Sequence, residues 1–137
     1  MLKKLILAVV VVFLLWSALD FVVHKHLLAK DYEAKKELWR GPADIKENVL
    51  HVVRLVFVLC FVALYGCAKA EKSAVSGLKY GLLYGLGVAV WISFGTYATM
   101  PVELNVAVTW AVGILVSSTV GGLLTGLIFG KCCGCEK

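Results

Sequence analysis

Four ionisable side chains stand within otherwise apolar stretches of this 137-residue chain: Asp20 and His24, and His51 and Arg54. Spacings of four and three residues put each pair on one helix face. Charge inside lipid is costly and points to a partner and to function. Asp20 lies about 6–8 Å below the outer end of its stretch, judged from the rise per residue. Arg54 lies roughly 9 Å into its own stretch by the same measure. The matching depths predict an Asp20–Arg54 contact flanked by His24 and His51. Three chemistries suit such a cluster. One is an ion pair that docks two helices. Another is a proton-handling or anion site, since histidine titrates near neutral pH. The third is a zinc or copper site with His24, His26, His51 and Asp20 as ligands. Against metal, His24 and His26 point to different sides of a helix, and Arg54 repels a cation. The Gly95–Pro101 stretch is expected to roof the cluster, with Tyr97 hydrogen-bonded to Asp20 or His51.

The thiols form a second set. Cys132, Cys133 and Cys135 crowd the last residues, and Cys67 falls on the same expected side. Thiolates are soft ligands that suit zinc or copper(I). Adjacent cysteines fit a tetrahedral site poorly, so 131–137 reads first as a loose Cys-rich tail. Cys60 reads as helix packing. No cofactor is implied.

Membrane-spanning helices are the elements that must position these groups. The chain is 61% apolar and 17% charged, with a mean hydropathy of +0.88. Soluble domains run near 45–50% apolar and about a quarter charged, so a soluble enzyme or a nucleic-acid-binding module is excluded. About 20 apolar residues cross the hydrocarbon core as a helix. Four stretches qualify, at about 4–26, 48–68, 76–99 and 104–130, and none shows the alternation of a barrel strand. The reading is all-α: a single integral membrane domain, a four-transmembrane-helix bundle. Lys3 and Lys4 before an apolar run resemble a secretory signal, but Ser17-Ala18-Leu19 is a weak cleavage site and the run continues to Val23.

In the first loop, Asp31 to Trp39 reads as a short amphipathic, interfacial helix with Tyr32, Leu38 and Trp39 against headgroups, ended by Gly41-Pro42. Loop lysines and arginines divide seven against six between the two sides, so the positive-inside rule alone is nearly silent. The Lys pair abutting the first helix favours both termini in the cytoplasm. The net charge of +5 is spread over both faces and suits anionic headgroups.

Glycines set the expected packing. Gly77, Gly81 and Gly85 open the third helix, and Gly122, Gly126 and Gly130 close the fourth. Four-residue spacing makes a groove in which two backbones approach closely. The two helices are antiparallel, so both seams fall in the same half of the membrane. They face each other within one chain or form a dimer interface, and the short 101–104 turn favours the first. Ser117, Ser118, Thr119 and Thr125 can bond back to their own helix.

At Asp20-x3-His24, Leu38-Trp39-Arg40 and Gly95–Pro101 the chain resembles an uncharacterised family of small four-helix bacterial integral membrane proteins. The resemblance spans most of residues 5–130, leaves out the Cys-rich tail, and implies an inner-membrane location but no reaction. The leading expectation is an accessory or interaction subunit. Its partners would be membrane lipids and a homodimer or larger membrane complex, with no nucleic acid. The alternatives are a dimeric proton-coupled or anion transporter, and a membrane enzyme or metal-binding protein using the His/Asp cluster.

Overall fold

The computed structural model describes residues 2–68 and 71–130, and five helices account for most of them. Four are long and apolar enough to cross a membrane: α1 (Leu2–Leu27), α3 (Glu47–Cys67), α4 (Ala74–Thr99) and α5 (Leu104–Gly130). The short α2 (Ala29–Ala34) lies in the first connector, followed by two single 3-10 turns, Lys36–Leu38 and Pro42–Asp44. A helix satisfies its own backbone, which lipid cannot do, so apolar runs of this length have few alternatives. At 1.5 Å per residue α4 and α5 are about 40 Å long. That exceeds a hydrocarbon core of about 30 Å, so they must tilt or extend into the headgroups.

Local signals set the helix ends. Ser73 caps α4: its hydroxyl accepts from the Ser76 amide at 3.1 Å, and the Ser76 hydroxyl accepts from the Ser73 amide at 3.0 Å. This reciprocal arrangement satisfies donors that the first turn leaves orphaned. Pro101 stops the other end, with Met100 extended before it (φ −126°, ψ 150°) as a residue preceding proline prefers. In the half of the bundle away from the termini, one short π-helical turn, Val23–Leu27, closes α1 and another, Val90–Phe94, interrupts α4.

The tightest packing joins α4 to α5. A Cβ placed on Gly77 would lie 2.7 Å from the Gly126 Cα, and one on Gly122 would lie 2.7 Å from the Gly81 Cα. Backbone therefore rests on backbone along Gly77, Gly81, Gly122 and Gly126. Gly85 continues the seam against Ser118, and Gly130 meets the Lys72 carbonyl. Both glycine rows are spent within one chain. The remaining helices pack through side chains around Ala8, Val12, Trp16, Val58, Phe61 and Val62. Trp16 joins α1 to α5 by donating its indole N–H to the Ser117 carbonyl at 2.7 Å, and Gly121 makes room for the ring. Tyr80 joins α4 to α3 by donating to the Phe61 carbonyl at 2.7 Å.

Candidate functional site

Asp20 on α1 and Arg54 on α3 each sit seven residues from the end of their helix that lies away from the termini. The structure brings them together. Arg54 donates to Asp20 Oδ2 from Nε at 3.1 Å and from Nη2 at 2.8 Å, and Nη1 donates to the Ser17 hydroxyl at 3.2 Å. Ser17 in turn donates to the Phe13 carbonyl at 2.8 Å. Both guanidinium bonds fall on one carboxylate oxygen. The Arg54 side chain is 18% exposed and that of Asp20 is 44% exposed. The arginine is thus clamped between α1 and α3, while the carboxylate faces the rim.

His24 lies within electrostatic reach of Asp20 and Arg54 and makes its hydrogen-bond contact with a second group. Its Nδ1 lies 2.6 Å from the Tyr32 hydroxyl, and the two rings are stacked at 13°. The Trp110 indole N–H donates to the same phenol oxygen at 2.8 Å. With that oxygen accepting from Trp110, the phenol hydrogen is free to donate to His24 Nδ1. Trp39 completes the cluster, 5.1 Å from the Tyr32 ring and 6.0 Å from that of Trp110. Beneath it, Leu28, Val102 and Val106 form a small core.

Polar contacts draw the first connector onto the start of α5. Asn105 donates to Asp31 at 3.1 Å, and Lys35 lies 3.4 Å from Glu103. Burial raises the Tyr32 phenol above its usual value near 10. The Trp110 bond opposes that rise and the neighbouring Asp31 reinforces it.

Two residues expected at the ion pair stand apart from it. His51 is exposed on the first turns of α3, and Tyr97 is 42% exposed on the last turn of α4. Among the described residues neither hydrogen-bonds to Asp20. The physical reason is the path of the connector, which crosses to α5 and leaves the start of α3 uncovered. At this end the segment 28–39 packs on the start of α5 through Leu28, Tyr32 and Trp39. Thr96 and Thr99 spend their hydroxyls on their own helix, at Ile92 and Gly95.

The Tyr32–Trp110 contact was not anticipated from the sequence. Tyr32 alone has a plain reading as an interfacial aromatic, Trp110 stands in an uninterrupted apolar run, and the two are 78 positions apart. Cys67 is exposed at the end of α3. Cys132, Cys133 and Cys135 lie outside the described residues, among which no three His, Cys, Asp or Glu side chains are grouped to hold a metal ion.

Chemically, the arrangement is an ion pair sealed on its inner side. Ala8, Val12, Val58, Phe61 and Val62 are fully buried and form the apolar centre of the α1–α3 contact. Near the aromatic cluster, a cavity of about 10 Å³ lies among Asp31, Tyr32, Lys35, Trp39, Val102 and Glu103. That is room for about one water at most. Comparisons with protein-family models, with curated proteins and with solved structures return no match.

Proposed function

We propose that this chain is an accessory subunit of the bacterial inner membrane, with both termini cytoplasmic, associating through its helices with a second copy or a larger membrane complex. The observation that carries the reading is the layer of fully buried apolar side chains beneath Asp20 and Arg54. A proton or anion path needs water or polar groups across the bundle. Here the hydrogen bonds that start at Arg54 run to Ser17 and end on the Phe13 carbonyl, and the Trp16 and Tyr80 bonds deeper in the bundle are separate from them. Fully buried Ala8, Val12, Val58, Phe61 and Val62 lie on the side of the termini. The ion pair then serves to dock α1 on α3.

A second feature favours association. On α4, Gly87, Trp91 and Gly95 recur at four-residue spacing, and all three are exposed. A Cβ on either glycine would meet nothing within 4 Å. Trp91 is 81% exposed and lies eight residues inside the end of α4, about 12 Å from it along the axis. Tryptophan prefers the headgroup level. Small residues on an outward face let another helix come close.

Two measurements test the reading. Proteoliposomes carrying a pH-sensitive or anion-sensitive dye should show no flux above that of empty vesicles. Cross-linking in membranes should capture oligomers that Gly87→Leu abolishes without loss of helical content. Flux that Asp20→Asn removes in a folded protein would establish the transport reading instead.

A further inference from the structure

The two ends of the bundle differ in charge once acids are counted with bases. The end away from the termini carries seven basic and seven acidic side chains, those from Asp20 to Arg54 together with Glu103. Its charges include the Arg54–Asp20 and Lys35–Glu103 pairs. At the termini end, the described residues supply Lys3, Lys4, Lys72 and Lys79 against Glu71 alone. Among the described residues none of these four lysines is ion-paired.

Two of the four are held in place. Lys4 donates to the Phe129 carbonyl at 3.0 Å, in the last turn of α5. Lys72 donates to the Ala68 carbonyl at 2.6 Å and to that of Tyr65, at the end of α3, and lies 4.7 Å over the Tyr65 ring. These carbonyls belong to helix C-termini, where acceptors are left over and cations are favoured. The Tyr65 and Phe129 rings meet edge to face at 6.0 Å, so the two ammonium groups flank one aromatic pair. An ammonium has three hydrogens, so Lys4 and Lys72 both retain a donor. Lys3 and Lys79 are exposed. Lys79 lies among exposed Val75, Leu78, Leu82 and Leu83, where a long side chain reaches from an apolar face to the headgroup level.

We infer that the termini end is a docking surface for the phosphate headgroups of anionic phospholipids. Fixed, uncompensated ammonium groups at headgroup depth suit a phosphodiester, and the neutral opposite end offers no such excess. The surface would orient the chain with its termini on the leaflet richer in anionic lipid. The inference rests on the proposed membrane embedding and not on the accessory role: flux through Asp20 would overturn that role and leave headgroup binding standing.

The test uses the full chain in mixed micelles, with binding of phosphatidylglycerol and of phosphatidylcholine measured by native mass spectrometry. Phosphatidylglycerol should bind preferentially. Each lysine near an anionic surface is worth about fivefold in association. Lys3→Gln with Lys79→Gln should therefore cut the preference by about 25-fold, and both side chains are exposed, which keeps the fold intact. Lys72→Gln acts in the same direction if the variant folds. Lys30→Gln with Lys36→Gln, at the neutral end, should leave the preference unchanged. Equal binding of the two lipids, an equal loss from variants at either end, or displacement by inorganic phosphate as effective as by lipid would overturn the inference.

Discussion

Replacing Gly122 by alanine adds one methyl group where α4 and α5 touch through their backbones. Its carbon would stand 2.7 Å from the Gly81 Cα and 2.8 Å from the Gly81 nitrogen. Carbon atoms settle at about 3.5–4.0 Å, so the helices must part by about 1 Å. Neither neighbour is a side chain that can rotate away, and overpacking of this kind costs about 1–3 kcal/mol. Parting the helices also loosens the adjoining contacts of Gly77 and Gly126. Gly87→Ala is the control, since its methyl meets nothing within 4 Å. It should be neutral or gain up to about 1 kcal/mol from helix propensity.

The assay is reversible unfolding of dilute, monomeric protein in mixed micelles, titrated with denaturing detergent and followed by circular dichroism. A second pair tests the same geometry. Gly85→Ala sets its methyl 2.7 Å from the Ser118 Cβ, whereas the next neighbour, the Leu115 Cα, is at an ordinary 3.5 Å. Ser118→Gly should therefore restore most of the stability that Gly85→Ala removes. Equal stability of Gly122→Ala and Gly87→Ala, or no rescue by Ser118→Gly, would refute the seam.

Asp20→Asn and Arg54→Gln should each cost about 1.5–3 kcal/mol, the range for hydrogen bonds to charged groups, with the double variant costing less than the sum, as a double-mutant cycle in the same micelles would read. Trp16→Phe deletes the bond to the Ser117 carbonyl and should lower stability by about 1 kcal/mol in that titration. Tyr32 binds its proton more tightly in the folded chain than in the unfolded one, because burial raises its pKa. Its contribution is therefore complete below the unfolded value near pH 10 and declines as pH rises beyond it. Stability measured between pH 9 and 11 should fall less steeply in Tyr32→Phe than in the parent chain.

Much of the architecture is legible in the residues. Four apolar runs long enough to span lipid have few alternatives to helices, because lipid leaves the backbone no outside partner. The Asp20–Arg54 level follows from rise per residue alone, since two antiparallel helices joined at one end keep their depths in step. The i,i+4 spacing also puts His24 within electrostatic reach of the pair, but its Tyr32 partner and the places of His51 and Tyr97 do not follow in that way. Their surroundings depend on the route of a 19-residue connector between α1 and α3, which depth arithmetic does not specify.

Composition and hydrophobic run length thus determined the class, the number of spans, their antiparallel order and the depth of the Asp20–Arg54 pair. These are properties of single segments against a slab of fixed thickness. Tertiary structure decided the partners. It set the two glycine rows against each other within one chain and sent Tyr32 across to Trp110. It also placed Gly87, Trp91 and Gly95 on an outward face of α4. The physical reason is that a helix periodicity defines which residues share a face but leaves open which neighbour that face meets. That choice is made when all the helices compete for the same close contacts.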